Sequence, residues 1–333
     1  RTFPAREHLL LRQVTWVPTA SGRMGPDALP ELGDAGTLAL GPSSGARLWI
    51  DVDTGELEPG TYTTTLHLRA LVPSDATWDI PVEWTVAPVA LPSAMPVKFC
   101  NWGYVNSSPL RDIAEEAVRD MQSHHTSVFV LTGDWLPKAT YDAQGRLTGD
   151  VDWQNHDWIL DRLRPQDMVL LLGTPVLPEQ GAPGQGSPGW EKAFATFLPR
   201  WVEHLASRAV GYDKWALYPV DEPGLLGGKL IDELERYARY YKHIDPNAQV
   251  YTDPFKGMTV ADMKRVLDVV DIWQPNFGTV VSEPSRERVN FLKSTGKQVW
   301  TYEAAGGVKD MAGVTYYWQV IWTAWELGLT GVG

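Results

Sequence analysis

The segment Tyr218-Pro219-Val220-Asp221-Glu222-Pro223 sets two adjacent carboxylates at the end of an apolar run. On a regular strand such neighbours point to opposite faces. Pro223 offers no backbone donor and ends the ladder, so both side chains can turn into one cleft. Two carboxyls in one cleft suit acetal cleavage, in which an acid protonates the leaving oxygen and a second group stabilises or traps the oxocarbenium-like centre. Glu222 has the longer reach, and the negative charge of Asp221 beside it favours its protonated form, which makes Glu222 the acid. The competing reading has the two acids capping a helix after Gly227-Gly228.

Two assignments stand for the second group. Glu303, on a later strand, would act as the nucleophile of a two-carboxylate retaining pair. Alternatively the substrate's own 2-acetamido oxygen attacks, and Asp221 orients and charge-stabilises the amide. A carbohydrate-binding protein without catalysis is the reading outside enzymology; two adjacent ionised groups kept in a cleft argue against it, because their burial costs energy unless charge develops opposite them.

The elements that must hold these residues follow from periodicity. From Val97 onward, short apolar runs alternate with amphipathic stripes such as Leu110, Ile113, Ala114, Ala117, Val118 and Met121, or Leu230, Ile231, Leu234, Tyr237, Ala238 and Tyr241. Strands are expected at 97–101, 127–131, 168–172, 215–220, 250–252, 271–274 and 298–302, with an eighth beginning at Gly331. That count predicts an α/β fold, a (β/α)8 TIM barrel over 95–333. Active sites of such barrels lie at the C-terminal strand ends. Read there, the candidate substrate-binding residues are Asn101, Trp102, Tyr218, Asp253, Gln274, Asn276, Tyr302 and Glu303, with Asp134 and Trp135 after the second strand. Asp253 precedes Pro254 and serves equally to shape a turn; Asn101, Gln274 and Asn276 can equally satisfy loop backbone.

Residues 1–94 alternate with period two: Leu48, Ile50 and Val52; Tyr62, Thr64, Leu66, Leu68 and Ala70; Trp78, Ile80, Val82, Trp84 and Val86. Turns such as Glu58-Pro59-Gly60 and Val72-Pro73-Ser74 separate them, which predicts an N-terminal antiparallel β-sandwich. The proline-rich stretch from Ala87 to Pro96 reads as a stiff linker. Trp49, Trp78 and Trp84 are expected in the sandwich core or at a domain interface. Trp153, Trp158, Trp190 and Trp201 are expected to pack helices.

Composition narrows the partners. The 333 residues carry 29 Lys+Arg against 41 Asp+Glu, a formal net charge of −12, which disfavours nucleic acid and anionic membranes. No apolar run reaches the roughly 18 residues of a bilayer span. The 16 Trp and 12 Tyr offer flat apolar faces of the kind a sugar stacks against. Cys100 is the sole cysteine and sits in an apolar strand, so it is read as packing. His124-His125 diverge around a helix end, a poor ligand spacing. A carbohydrate substrate with no cofactor and no metal is therefore expected. The chain opens at Arg1 inside an apparent strand and stops at Gly333 as the eighth begins, so extension past one or both ends is expected. An extracellular or periplasmic protein freed of its leader is favoured over a cytoplasmic one.

Across nearly its whole length the sequence resembles glycoside hydrolase family 123 and its relatives, known as domain of unknown function 4091. In the N-terminal part the resemblance rests on Gly25-Pro26-Asp27-Ala28-Leu29-Pro30, Leu48-Trp49-Ile50-Asp51-Val52 and Pro59-Gly60-Thr61-Tyr62. In the barrel it rests on Asp221-Glu222-Pro223, Trp300-Thr301-Tyr302-Glu303, and the run from Tyr316-Tyr317-Trp318 through Ala324-Trp325-Glu326-Leu327-Gly328-Leu329-Thr330-Gly331. The resemblance implies a retaining β-N-acetylgalactosaminidase that works by substrate assistance. Asp221 would orient the acetamido group as an oxazolinium forms, Glu222 would be general acid and then base, and Trp102, Trp273, Trp300 and Tyr302 would meet the N-acetyl methyl.

Overall fold

A computed structural model describes residues 8–19, 21–33, 36–41, 43–71, 75–90, 95–304 and 313–333; for 27 and 313–317 it describes the backbone. Arg1, the turn expected at Val72-Pro73-Ser74, residues 91–94 of the expected linker, and the side chains of Tyr316 and Tyr317 lie outside the described residues. The chain divides into two compact units, the second starting at Ala94.

The first unit is antiparallel, as three separate two-stranded sheets among the described residues. Leu9–Gln13 pairs with Leu48–Val52, Thr15–Pro18 with Met24–Ala28, and Gly60–Arg69 with Thr77–Val86. In the last of these the period-two faces meet: Tyr62 opposes Trp84, Leu66 opposes Ile80 and Leu68 opposes Trp78, the cross-strand apolar contact that stabilises a hairpin. Tyr62 is buried, whereas Trp78 and Ile80 stay largely exposed. Trp49 is exposed too, because it alternates with Leu48 and Ile50 and so faces away from them; its indole N–H donates to Asp51 Oδ1 at 2.7 Å. The expectation that Trp49 and Trp78 are core residues of this unit is corrected accordingly.

The second unit is the expected barrel. Its parallel strands are β1 (Lys98–Asn101), β2 (Val128–Leu131), β3 (Met168–Leu172), β4 (Trp215–Tyr218), β5 (Tyr251–Thr252), β6 (Ile272–Trp273), β7 (Gln298–Thr301) and β8 (Gly331–Val332). They run in the order β4-β3-β2-β1-β8-β7-β6-β5. A parallel bridge from Leu217 to Val250, with Leu217 N–H donating to Gln249 O at 2.8 Å, joins the two end strands and closes the ring.

Alternation along the strands sorts side chains into two layers. Val128, Val130, Met168, Leu170, Ala216, Tyr218, Tyr251, Ile272 and Trp300 fill the barrel interior with Cys100. Their strand neighbours Phe129, Leu131, Val169, Leu171, Trp215 and Leu217 face outward to the helices, as do Trp273, Val299 and Val332. Strands covered on both faces read as unbroken apolar runs, which is why MVLLL and VFVL carry no alternation.

Helices α1 (Ala114–Ser123), α2 (Gln154–Leu160), α3 (Pro188–Ser207), α4 (Gly228–Ile244), α5 (Val260–Val266), α6 (Glu287–Ser294) and α7 (Gly313–Glu326) follow β1 to β7 in turn. The stripe of α4 buries Ile231, Leu234, Ala238 and Tyr241. Of the stripe leading into α1, Ala117 and Val118 are buried but Ile113, just before the helix, is exposed. Residues Arg111–Ile113 form a 3-10 turn, and its tighter winding breaks the helical phase that the sequence pattern assumes. Trp190 and Trp201 are buried on one face of α3. A small sheet of Lys138–Tyr141, Leu147–Asp152 and Val176–Pro178 sits in the loops after β2 and β3, an addition that short apolar runs did not announce.

Candidate active site

Past Tyr218 the pairing of β4 ends, and Asp221 and Glu222 both line a cleft of about 710 Å3 at the C-terminal strand ends. Among the described residues the cleft is also lined by Asn101, Trp102, Tyr104, Asp253, Tyr302 and Glu303. The acids do not cap α4, whose N-cap Gly227 has no side-chain partner.

Glu222 holds a backbone φ of +44°, a left-handed conformation that costs a residue with a Cβ about 1–3 kcal/mol and tends to mark functional sites. Two devices hold it there. Glu222 N–H donates to Asp253 Oδ1 at 3.0 Å. Beyond Pro223, Gly224 at φ +101° lies against Gly257, so close that a Cβ on either would collide with the other's loop backbone. Phe255 N–H donates to Pro223 O at 3.0 Å. The loops after β4 and β5 are thus fastened backbone to backbone.

Beneath the pair lies a chain of three oxygens. The Tyr218 hydroxyl is 2.5 Å from Asp221 Oδ1 and also hydrogen-bonds Asp253 Oδ2. One phenol carries one proton and cannot donate twice. One of the two carboxyls must therefore carry the second proton, and burial favours Asp253, which is almost fully enclosed, over the exposed Asp221. Its surroundings agree: burial above all, with the nearby Asp221 adding to it, pushes the Asp253 carboxyl well above the usual carboxylate range. The proton order is Asp253 to Tyr218 to Asp221. Tyr218 is itself pushed well up, by burial and then by Asp253.

Above the pair, Tyr302 donates its hydroxyl to Glu222 Oε1. Burial above all, with the hydrogen-bonded Glu222 carboxylate, raises the Tyr302 phenol and keeps it a donor. Its ring packs on Trp102 with centroids 5.6 Å apart. Glu303, half-buried, accepts from Ala304 N–H at 2.9 Å through Oε1, and its other oxygen abuts Gly278. Each acid of the pair is therefore fixed by a different tyrosine.

Other expected residues are placed elsewhere. Trp273 follows Ile272 on a strand of two residues; Ile272 takes the interior, so Trp273 points out into the helix layer. Trp300 is fully buried in the barrel interior and does not line the cleft. Gln274 is spent on the barrel: Oε1 accepts from Tyr251 at 2.8 Å and Nε2 donates to Thr301 O at 3.0 Å. Asn276 Oδ1 caps the turn Phe277–Val281, accepting from Thr279 N–H and hydroxyl at 3.0 and 2.9 Å. Tyr218 lies under the pair, fully buried, and positions Asp221. Asp134 pairs with Lys138 at 3.0 Å, and Trp135 packs edge-on to Trp158.

Tyr104 lines the cleft although strand-end counting passed over it. The signal was the continuation Trp102-Gly103-Tyr104 past the end of β1. Burial, then Asp221 and Asp253, push its phenol up to about 12. Among the described residues no group of three or more His, Cys, Asp or Glu side chains is set to hold a metal ion.

No protein-family model and no curated protein matches the chain. Among solved structures it is similar to a family 39 glycoside hydrolase from the gut symbiont Bacteroides cellulosilyticus WH2, with 13% identity, 97% of this chain and 69% of that one covered, and a TM-score of 0.46. It is also similar to a β-1,4-D-mannanase from Cryptopygus antarcticus, at 11% identity over 75% of this chain and 85% of that one, TM-score 0.44. A GH113 β-1,4-mannanase overlaps at 13% identity over 72% and 87%, TM-score 0.42. These overlaps are loose and carry no assignment. The barrel rests on its own strand register.

Proposed function

We propose that this cleft hydrolyses glycosidic bonds, and that the substrate is a β-linked N-acetylhexosamine, N-acetylgalactosamine by preference. The carrying observation is that Asp221 and Glu222 line one cleft while separate tyrosines, Tyr218 and Tyr302, bond one oxygen of each. In this reading Glu222 protonates the leaving oxygen as the bond from the anomeric carbon breaks. The 2-acetamido carbonyl oxygen forms a bond to that carbon, and Asp221 takes the developing positive charge of the amide N–H. Water then opens the oxazolinium, giving its proton to Glu222, and two inversions return the starting configuration. The preference for the galacto sugar rests on the sequence resemblance.

Glu303 lines the same cleft, which favours one rival: a two-carboxylate enzyme whose Glu303 forms a covalent glycosyl ester. The two are separated by a thiazoline analogue of the oxazolinium and a 2-fluoro glycoside that traps esters. Inhibition by the thiazoline with no protein adduct supports substrate assistance. An adduct on Glu303 overturns it.

A further inference from the structure

A second groove, of about 650 Å3, opens at the ends of β1 and β2 and shares Tyr104 with the cleft. Its volume falls in the roughly 300–1,000 Å3 range of sites that enclose a small molecule. Its lining includes Asn106, Ser107, Arg111, Asp112 and Asp134, residues the catalytic scheme does not use.

The divider is aromatic. Tyr104 sits at φ +29°, in the left-handed region, and its carbonyl accepts from both the N–H and the hydroxyl of Ser107, each at 2.8 Å. Tyr104 lines both grooves, so its ring offers an aromatic surface on which a sugar can stack. Beyond it, Arg111 is pinned by its Nε–H donating to Asn106 O at 2.6 Å, and a second nitrogen reaches Asp134 Oδ2 at 3.3 Å. Lys138 holds the other oxygen of Asp134. The Arg111–Asp134 pair is exposed and contributes little by itself, so it is cheaply reopened to a ligand. In the lining Arg111 stands against Asp112 and Asp134, the latter also paired by Lys138 from outside the groove. Such a lining suits a neutral ligand over a phosphate, and a guanidinium beside carboxylates matches vicinal hydroxyls, which accept from one and donate to the other.

We propose that this groove is a second sugar subsite, binding the residue that adjoins the one whose bond is cleaved, so that oligosaccharides are the substrate class. The proposal rests on the glycosidase reading. Calorimetry on the Glu222→Gln protein would compare methyl β-N-acetylgalactosaminide with a β-linked trisaccharide ending in that sugar. The trisaccharide is expected to bind at least about tenfold tighter, and Arg111→Met to remove most of that ratio. Asp112→Trp, at an exposed rim position, fills the groove and is expected to do the same should the Arg111 variant fold poorly. Equal affinities for the two sugars, or a ratio untouched by both variants, overturn the subsite and leave the glycosidase reading standing. Binding of neither sugar overturns both.

Discussion

Replacing Asp253 separates charge from geometry at the heart of the site. In the proton order derived above Asp253 is a neutral acid: it accepts from Glu222 N–H at 3.0 Å and supplies a proton to Tyr218. Asn reproduces both contacts, with its carbonyl accepting from Glu222 and its amide donating to the phenol oxygen. Ala reproduces neither, leaving a part-buried N–H unpartnered at up to about 1–3 kcal/mol and the left-handed Glu222 without its tether. The pH dependence has a definite sign. Burial raises the folded-state pKa of Asp253 above its unfolded value near 3.9. The folded state therefore holds more protons than the unfolded one, and the stability from this group, full below that unfolded value, is lost as pH rises toward the folded pKa. Between pH 5 and pH 7 the wild type therefore loses stability that Asp253→Asn does not lose. Urea unfolding of both proteins at the two pH values measures the difference. Asp253→Asn should gain on the wild type as pH rises and keep its activity, while Asp253→Ala loses roughly 10- to 100-fold in kcat/KM, the rate equivalent of that N–H penalty. A stability gap that widens instead toward acid would refute the neutral-acid assignment.

Glu222→Gln should depress kcat most on substrates with poor leaving groups, by about 100- to 10,000-fold, because the lost step is protonation; equal loss on activated aryl glycosides would count against the acid role. Asp221→Asn should slow even activated glycosides, as read from kcat on the same panel. Tyr302→Phe removes a hydrogen bond to Glu222, and a loss of roughly 1.5–3 kcal/mol in transition-state binding, measured from kcat/KM, is expected if that bond tightens with the reaction. Gly257→Ala drives a Cβ into Gly224; calorimetric melting should show about 1–3 kcal/mol of destabilisation, together with a drop in kcat as the Glu222 loop is displaced.

The barrel was legible because its strands are buried on both faces and its helices on one, and those two patterns differ even in single-sequence reading. What was not legible was the direction of a side chain on a very short strand. Ile272 and Trp273 carry no period between them, and the larger aromatic went outward. Gln274 and Asn276 had the right polarity and the right strand end, but their hydrogen bonds close on Tyr251, Thr301 and Thr279. The Asp221-Glu222 pair was visible as composition. Its support was not, since Asp253, Gly224 and Gly257 meet it only through the packing of neighbouring loops. In the first unit the period-two ladders were readable, but no pattern within a strand says what covers its apolar face, and Trp78 remains exposed.

Hydrolysis of matched aryl β-glycosides of N-acetylgalactosamine, N-acetylglucosamine and galactose tests the central claim most directly. Turnover confined to the N-acetylated sugars, greatest for the galacto form, is the expected result. Turnover of the plain galactoside would contradict substrate assistance and move the nucleophile to Glu303, and turnover of none would contradict the assignment of Asp221 and Glu222 to glycoside cleavage.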